Sequence, residues 1–254
     1  MEKKKRDNQA VKKPIKDNSY PIRLNKYIAN AGICSRRDAD ELIKSGKIKV
    51  NNKLVTEMGY QVQNMDKVEY GKKIIRPEKS VYVLLNKPKD FITTMEDTHD
   101  RKTVMDLVAK ACQERIFPVG RLDRNTTGLL LFTNDGLLTE KLTHPSYQIK
   151  KIYQIELDKP ITKLDFEKLN ATIDLEDGPV KIDNAAILTT DKKTIGLEIH
   201  IGKNRVVRRI FESLGYEVIK LDRTMYGPLT KKDLPRGKWR FLSDKELVIL
   251  RNLS

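Results

Sequence analysis

Two apolar stretches joined by a polar turn, within residues 117–136, constrain the fold of this chain most. The sequence there is FPVGRLDRNTTGLLLFTNDG, in which a short apolar strand ends in a turn and Gly128 opens a second, very apolar strand. Both strands are expected to be buried, so Asp123 lies at their mouth, where a carboxylate is held rigidly beside a ligand. The alternative is that Asp123 only shapes the turn together with Asn125 and Thr126.

Strand-like and helix-like segments alternate irregularly along the rest of residues 81–254. Apolar runs predict strands at 81–86, 116–119, 128–133, 150–157, 180–188, 195–201 and 216–221. Helical spacing of apolar residues predicts helices at 103–110, 136–142, 162–170, 204–214 and 244–251. Because the order is irregular, it favours an α+β sheet domain over regular βαβ winding.

Residues 22–69 have the pattern of a separate small domain. Apolar residues at helical spacing between 24 and 31 predict a first short helix. Ser35 is the expected N-cap of a second helix, with Asp38 at the capping-box position. Residues 48–55 alternate apolar residues with lysines around an Asn-Asn pair, which predicts a hairpin.

This small domain is rich in basic side chains. They are Arg23, Lys26, Arg36, Arg37, Lys44, Lys47, Lys49 and Lys53. Arg36 and Arg37 fall in the first turn of the second predicted helix, where positive charge opposes the helix dipole. A phosphate ligand would explain that placement.

Two polar stretches flank the small domain. Residues 1–21 contain seven lysines and arginines against three acidic residues and almost no large apolar residue, which predicts a disordered basic tail. The alternative for this tail is a simple solvated leader. Residues 70–80, YGKKIIRPEKS, are polar and contain Gly71 and Pro77, so they are predicted to be a linker.

The charge balance of the chain points to an anionic partner. The 254 residues include 50 Lys and Arg against 35 Asp and Glu, a net charge of +15. Nucleic acid is the commonest partner for such a surplus, followed by an acidic membrane surface or an acidic protein.

Several other classes of protein do not fit the sequence. The two cysteines, Cys34 and Cys112, form no CxxC pair, and His99, His144 and His200 are scattered, so neither a disulfide framework nor a metal site is expected. The apolar runs are too short for a membrane span, and the start of the chain has no apolar signal region. These features predict a cytoplasmic protein.

Two further segments carry residues suited to nucleic-acid chemistry. Residues 199–218 predict a strand, a glycine turn and a helix that begins with three arginines, namely Arg205, Arg208 and Arg209. Such arginines form an anion site, although a solvated basic helix face is the alternative. The segment KKIYQIEL places Tyr153 in a strand, where it either packs in the core or offers its ring to a nucleobase.

Taken together, these segments resemble the pseudouridine synthases, in particular the RsuA/RluB/RluF branch that modifies bacterial ribosomal RNA. The matching elements are GRLD at 120–123, T-x-GLL at 126–130, K-x-Y at 151–153, GKNR-x-VRR at 202–209 and LNKP at 85–88. The small N-terminal domain resembles the RNA-binding domain of the ribosomal-protein-S-four type. The resemblance implies an α+β fold in which this domain precedes a synthase domain built on a mixed, mainly antiparallel sheet.

The resemblance also implies roles for individual residues. Asp123 would be the catalytic carboxylate, Tyr153 the aromatic ring that packs on the target base, and Arg208 the guanidinium paired with Asp123. The residues expected to bind RNA are Arg23, Lys26, Arg36, Arg37, Lys44, Lys47, Lys49, Lys53, Arg121, Arg205 and Arg209. Two positions depart from the family pattern: Val206 replaces a polar residue, and Ile201 replaces an acidic one.

The implied reaction breaks the bond between the ribose anomeric carbon and N1 of uracil, turns the base, and rejoins it through C5. Neither redox chemistry nor phosphate energy is required, so neither a cofactor nor a metal ion is expected. Asp123 would either attack the anomeric carbon or remove the neighbouring ribose proton. Pairing with Arg208 would keep it charged, and a flipped-out base would lie on Tyr153.

Within the branch, residues 129–146 and 175–179 look most like the RluB type, which acts on large-subunit ribosomal RNA. Small-subunit RNA, as for the RsuA type, and an RluF-type target are the alternatives. The expected partner is ribosomal RNA or a pre-ribosomal particle, bound by a monomer. A rival from another class is a non-catalytic RNA-binding assembly factor, which would be expected to lack Asp123 or Arg208.

Overall fold

The computed structural model describes residues 20–253, and these divide into two compact units between Glu78 and Lys79. Of the predicted basic tail, residues 1–19 lie outside the described residues. No described helix combines the length and the apolar character that a bilayer crossing requires.

The N-terminal unit contains two short helices and six short strands. Its elements are β1 (Ile22–Arg23), α1 (Leu24–Asn30), α2 (Arg36–Lys44), β2 (Ile48–Val50), β3 (Lys53–Leu54), β4 (Gln61–Val62), β5 (Val68–Tyr70) and β6 (Lys73–Ile75). Strands β3, β2, β5 and β6 form an antiparallel sheet in that order, and β1 pairs with β4. The two helices pack their apolar residues, including Leu24, Ile28 and Ile43, into the core of this unit.

The start of α2 is fixed by its own first turn, as the sequence predicts. The backbone N–H of Asp38 donates to Ser35 Oγ at 3.2 Å, and the Ser35 N–H donates to the Asp38 carboxylate at 3.3 Å. This reciprocal pair satisfies two helix-end donors that would otherwise lack a partner.

The predicted linker over residues 70–80 is wrong for its first half. Residues 68–75 form the β5–β6 hairpin, which adds two strands to the N-terminal sheet. Val68 and Ile75 are buried, whereas the intervening lysines are exposed. In the sequence, these two strands are therefore indicated only by a weak alternation of apolar and basic residues. Residues 76–80 have neither helix nor strand structure.

The second unit is built around one large sheet with helices beside it. Its strands are β7 (Tyr82–Lys87), β8 (Phe117–Pro118), β9 (Thr126–Thr133), β10 (Lys151–Leu157), β11 (Thr172–Leu175), β12 (Gly178–Lys181), β13 (Asn184–Ile187), β14 (Thr194–Ile199), β15 (Val218–Tyr226), β16 (Leu229–Thr230) and β17 (Trp239–Phe241). Its α-helices are α3 (Val104–Val108), α4 (Gly136–Thr143), α5 (Lys163–Lys168), α6 (Val206–Ser213) and α7 (Asp244–Arg251).

The order of strands in the large sheet is β13-β14-β10-β15-β9-β7-β17, with β8 beside β9 and β16 beside β15. Strands β9 and β15 run parallel, whereas the other neighbours are antiparallel. The predicted α+β class with a mixed, mainly antiparallel sheet is therefore confirmed. The predicted strand at 180–188 is instead two strands, and its first part pairs with β11 in a separate hairpin.

The centre of the sheet is buried on both faces. Along β7, Tyr82 and Leu84 pack into one apolar cluster, while Val83 and Leu85 pack into another on the opposite side. Side chains that alternate between two cores explain why this strand, like β9, is a continuous apolar run.

Strands β9 and β15 approach each other closely at Gly128. A Cβ atom there would lie 2.2 Å from the backbone oxygen of Arg223, and the φ angle of Gly128 is +107°. Both the contact and the dihedral exclude other residues, so this glycine allows β15 to lie beside the strand that follows Asp123.

Candidate active site

A cavity of about 480 Å³ lies over the centre of the large sheet. Strands β9, β10 and β15 contribute Thr126, Tyr153 and Arg223 to its lining, and residues 119–124 and 201–205 supply two adjoining loops. The volume falls within the range of about 300–1,000 Å³ that is usual for small-molecule sites. Two segments far apart in sequence, both singled out above, are thus brought to one cavity.

Asp123 lies at the cavity in the turn before β9, as the sequence predicts. Its side chain is exposed and forms neither a hydrogen bond nor an ion pair with any described residue. The turn itself is rigid, because Thr126 N–H donates to Asp123 O at 3.0 Å. The preceding residue is fixed by Thr93 Oγ1, which donates to Leu122 O at 2.7 Å. A free carboxylate on a rigid turn is suited to act on a bound ligand.

Lys87 anchors this turn from below, although it is not among the site residues predicted from the sequence. Its side chain is fully buried, and Nζ lies 2.8–3.2 Å from four carbonyl oxygens. The acceptors belong to Pro88, Asp123, Arg124 and Thr126. Burial lowers the pKa of Lys87 to about 8, although Asp123 acts to raise it. A lysine at the end of the apolar run VYVLLNKP is the signal that predicts such an anchor, because a buried ammonium requires acceptors.

Tyr153 is in β10 and lines the same cavity, as predicted. Its side chain is 9% exposed, and its cross-strand partners are Leu197 in β14 and Arg223 in β15. The ring is therefore held in place by packing while part of it faces the cavity. Tyr153 therefore both packs in the core and lines the cavity, which combines the two alternatives that the sequence left open.

Arg208 does not form the predicted pair with Asp123. Its guanidinium, on α6, donates through Nη1 to Val218 O at 2.8 Å, and it is not among the residues that line the cavity. Burial and the neighbouring Arg205 lower the pKa of Arg208, whereas Asp123 raises it. The guanidinium of Arg208 is hydrogen-bonded to the backbone of β15 and makes no direct contact with Asp123. The two charges therefore interact only through space.

The other predicted arginines differ in their availability. Arg121 and Arg205 line the cavity and are exposed, and Arg205 also pairs with Glu212 at 3.6 Å. Arg209 instead binds the carboxylate of Asp177 in a bidentate manner at 2.8 and 3.0 Å and donates through Nε to Asn204 O. Asp177 lies between β11 and β12, so Arg209 fastens this hairpin to the loop that borders the cavity.

The basic residues predicted to bind RNA in the N-terminal unit lie on its surface. Lys26 is partly exposed and the other seven are exposed. Among the described residues, Lys44 alone of the eight forms an ion pair, with Glu41 at 3.1 Å. Side chains that are charged, exposed and uncompensated are available to an anionic partner.

The cavity lining is strongly cationic. Its basic residues are Arg121, Arg124, Lys151, Lys203, Arg205 and Arg223, whereas Asp123 is the single carboxylate among the lining residues. Lys151 is part of the K-x-Y element, but neither Lys151 nor Arg223 is among the site residues predicted from the sequence. The two residues that depart from the family pattern, Ile201 and Val206, also line the cavity and give part of its wall an apolar surface.

Asp222 lies on the other face of the sheet, between two cavity residues of β15. Thr127 Oγ1 and Arg236 Nη1 donate to its carboxylate at 2.6 and 2.7 Å, and Lys231 Nζ forms a further hydrogen bond. Burial raises the pKa of Asp222, but these bonds outweigh it and hold the pKa below its usual value. Arg236 also donates to Asn86 Oδ1 at 3.1 Å, so the cluster joins β15 to β7 behind the cavity.

The arrangement suits a ligand that has a planar group at one end and negatively charged groups beside that planar group. A carboxylate without a partner, an aromatic ring and several cations converge on a volume the size of one nucleotide. Carboxylates act as nucleophiles or bases, and arginines bind phosphate.

Comparison with known proteins gives two family matches in this chain. Residues 81–213 match the family model described as RNA pseudouridylate synthase, and residues 22–68 match the S4 domain. The first match contains Asp123, Tyr153 and Arg208, and the second contains the eight basic residues of the N-terminal unit.

Full-length relatives show the same combination. The chain is 45% identical over 236 residues to the ribosomal large subunit pseudouridine synthase B of Bacillus subtilis, covering 91% of this chain and 96% of that protein. It is 36% identical over 235 residues to the dual-specificity RNA pseudouridine synthase RluF of Escherichia coli, covering 91% and 79%. A crystal structure of a pseudouridylate synthase, 27% identical, superposes with a TM-score of 0.64 over 90% of this chain and 99% of that one.

Proposed function

Because this chain belongs to the RNA pseudouridine synthases and carries an S4 domain, we propose that it isomerises a specific uridine of ribosomal RNA to pseudouridine. The placement of Asp123 and Tyr153 in one cationic cavity of the synthase domain is the observation that carries the proposal. The proposed substrate is large-subunit RNA, and support comes from the similarity over nearly its whole length to a large-subunit enzyme.

Asp123 is the proposed catalytic carboxylate. It either attacks C1′ of the target ribose or removes the proton from C2′, and both routes release the base from N1. Its exposure in the cavity and the absence of any partner among the described residues leave both oxygens available. The rigid turn over Lys87 holds the carboxylate without blocking it.

Tyr153 is the proposed stacking partner of the flipped base. A uridine inside folded RNA must leave its stack to bring C1′ to a carboxylate, and an aromatic ring replaces part of the lost stacking. Packing against its cross-strand neighbours keeps the ring from turning with the base.

Arg208 has the proposed role of balancing the charge of Asp123 through space. Its effect on Asp123 needs no contact, since an interaction between charges in a partly buried cleft is screened less than in water. The exposed Arg121 and Arg205 at the cavity are proposed to bind the phosphates beside the target nucleotide.

The N-terminal unit is proposed to hold the surrounding RNA by its phosphates. Its exposed basic residues supply affinity without reading the sequence directly. The protein is further proposed to act as a monomer in the cytoplasm, where bacterial ribosomal RNA is found. A non-catalytic assembly factor would need neither Asp123 nor a cavity around it.

Mapping of pseudouridines in total ribosomal RNA from a strain lacking this protein tests the proposal. We expect one site in large-subunit RNA to lose pseudouridine and to regain it when the wild-type chain is supplied. A missing site in small-subunit RNA would contradict the proposed target, and an unchanged map would contradict the activity.

The same strain supplied with Asp123→Asn tests the mechanism. The amide has the same shape but is neither nucleophile nor base, so the site should stay unmodified while the affinity of the variant for RNA changes little. Pseudouridine formation by this variant, read by carbodiimide-stop primer extension, would show that Asp123 is not the catalytic group.

A further inference from the structure

Two cations on the floor of the cavity have no carboxylate partner among the described residues. Lys151 Nζ donates to the carbonyl oxygens of His200 at 2.6 Å and Ile149 at 3.1 Å. Arg223 is 4% exposed; its Nε donates to Leu129 O at 2.8 Å, and its Nη2 is buried without a hydrogen-bond partner. Arg223 is buried and Lys151 is half-buried, and neither has an anion to neutralise its charge, which is unfavourable for a protein that has no use for these charges.

Strand register places these two cations beside the proposed stacking ring. Lys151 and Tyr153 are two residues apart on β10 and line the cavity together, and Arg223 is the cross-strand partner of Tyr153 on β15. Burial lowers the pKa of Lys151 and Arg223 lowers it further, so the two positive charges repel each other. Asp222, the sequence neighbour of Arg223, points to the opposite face of the sheet and is bound there by Lys231.

A second polar atom on the same floor is also unpaired. Thr126 Oγ1 is buried without a hydrogen-bond partner, and Thr126 lies on β9 opposite Leu221, two residues before Arg223. Buried donors and acceptors in proteins are rarely left unpaired unless a ligand or a water molecule completes them. The floor is therefore built to receive a polar group that carries negative charge.

The proposed reaction produces such a group. When the C1′–N1 bond breaks, its electron pair leaves with the uracil, whose negative charge spreads over N1, O2 and O4. Asp123 loses its own charge in the same step, because its oxygen bonds C1′ or because it accepts the C2′ proton. In either route one negative charge passes from the exposed carboxylate to the base.

The second half of the reaction returns this charge. C5 of the base bonds C1′ with an electron pair of the ring, C5 then loses its proton, and N1 gains one. Asp123 is restored by release of its bond to C1′ or by return of the proton to C2′. The product is an isomer of the substrate, and the anionic base exists only between the two bond changes.

We propose that Lys151 and Arg223 form an anion subsite that holds the detached uracil while it turns. The inference rests on the proposed function and extends it from the carboxylate to the floor of the cavity. Fixed cations in a site that excludes water stabilise a developing charge without reorganisation. Two of them beside the stacking ring keep the free base in the cavity while its bond to the ribose is absent.

The subsite differs from the exposed arginines at the cavity. Arg121 and Arg205 are exposed and suited to phosphates, which are charged before and after the reaction. Lys151 and Arg223 would act on a charge that exists only during it. Loss of the floor cations should therefore slow conversion and leave RNA affinity nearly unchanged.

The test uses the full chain, Lys151→Met, and transcribed large-subunit RNA under single-turnover conditions with excess enzyme. C5-linked nucleosides are measured by chromatography and mass spectrometry after nuclease digestion. We expect the rate at saturating enzyme to fall at least about tenfold, with the Kd for the transcript unchanged within about twofold. Lys150→Met is the matched control, since Lys150 is exposed, pairs with Glu198 and does not line the cavity.

A second transcript, made with 5-fluorouridine, separates a charge effect from a structural one. Fluorine at C5 withdraws electrons and stabilises the anionic base itself, so the deficit of Lys151→Met should shrink at least about threefold on this RNA. Because C5 then carries fluorine and has no proton to lose, the C5-linked product on this RNA is counted as the 5-fluoro nucleoside in which water has added OH to C6 and H to N1. Arg223→Lys, which keeps a positive charge, should convert uridine faster than Arg223→Met. Thermal unfolding of each variant shows whether the fold is retained.

The outcomes are distinguishable. An equal loss of rate on both transcripts, a loss confined to affinity, or wild-type rates in Lys151→Met and Arg223→Met would each overturn the subsite while leaving the proposed function intact. Absence of C5-linked nucleosides with the wild-type chain would overturn both.

Discussion

Lys87 is a single side chain that determines the shape of the turn bearing Asp123. Its three ammonium protons are shared among four carbonyl oxygens, three of which belong to residues of that turn. Lys87 itself is fully buried on β7, and of its four hydrogen bonds the one to Thr126 O is buried and the others are partly buried. Removing this one ammonium therefore takes the donor from four acceptors at once.

We predict that Lys87→Met lowers the free energy of unfolding by about 1–3 kcal/mol, since buried acceptors lose their donor. Conversion of uridine should fall about a hundredfold, because a carboxylate displaced by about 1 Å no longer meets the ribose correctly. Chemical denaturation and single-turnover conversion measure the two effects. Lys89→Met, at an exposed position two residues on, is the control and should match the wild type. An active, equally stable Lys87→Met protein would rule out the anchoring role.

The pH dependence of activity should reflect two lysines. Burial lowers the pKa values of Lys87 and Lys151 to about 8 each. Both side chains are charged below that value and lose their protons as the pH rises through it, so conversion should decline above about pH 8. Single-turnover rates between pH 6.5 and 9.5 at constant ionic strength measure the decline.

Unfolding does not explain such a decline. Because the two pKa values are lower in the folded state, the unfolded chain binds more protons between about pH 8 and 10.5, and these groups make the folded state more stable as the pH rises there. The loss of activity should therefore reverse on return to pH 7.5, with an unchanged circular dichroism spectrum. A rate that stays constant up to pH 9.5 would contradict the need for either charge.

Among the elements, those defined by local chemistry follow from the sequence. Helix α2 begins where Ser35 and Asp38 predict it, because a capping box needs residues only three apart. Strand β9 was predicted from its apolar run, although it starts two residues earlier than expected. Strand β17, by contrast, is held by pairing with β7, which comes from a distant part of the chain. Nothing in its three residues alone indicates that partner.

The side chains of the site likewise divide into those whose position follows from local sequence and those whose position depends on a distant part of the chain. The motifs correctly bring Asp123 and Tyr153 to one cavity, because GRLD lies in the turn before β9 and K-x-Y forms the start of β10. Arg208 was placed on the correct helix, but its guanidinium is captured by Val218 O, an acceptor from another element. The role proposed for Arg223 follows only from the register between β10 and β15, which the sequence does not reveal.

The hairpin of β11 and β12 is a separate element fastened beside the cavity. Asp177 at its turn binds Arg209, and Lys203 donates to Asp177 O and Gly178 O at 2.8 and 2.9 Å. Hydrogen bonds from Arg209 lower the pKa of Asp177. Since Lys203 also lines the cavity, the hairpin fixes one side of the opening.

We predict that Asp177→Ala loosens this hairpin and reduces the rate of uridine conversion about tenfold, because the loop carrying Lys203 loses a support. Hydrogen exchange read by mass spectrometry should increase for residues 172–181 and stay unchanged in β9. Asp174→Ala removes an exposed carboxylate from the same hairpin that has no partner among the described residues, and it should have no effect. Equal exchange in the two variants would show that Asp177 does not hold the hairpin.

For the whole molecule, the basic residues behind the net charge of +15 include two groups with different surroundings. Cations of the synthase unit surround a cavity with one carboxylate, whereas those of the S4 unit lie exposed on its surface. We propose that the first group acts at a single nucleotide and the second along the RNA backbone. Changes in the second group should therefore alter affinity and its salt dependence, and leave the chemical step unchanged.

We predict that replacing Arg36, Arg37, Lys47 and Lys49 by Gln in the full chain weakens binding to transcribed large-subunit RNA. Each lost phosphate contact reduces the magnitude of the slope of log K against log salt concentration by about 0.7–0.9, so four lost contacts should reduce it by up to about 3.5. At saturating enzyme the conversion rate should stay within about twofold of the wild type, since these residues act before the chemical step. A control with the same change in net charge replaces four exposed lysines of the synthase unit that do not line the cavity: Lys110, Lys163, Lys192 and Lys245. If the control lowers the slope as much as the S4 variant does, RNA affinity depends on total charge and the S4 surface has no special part in it.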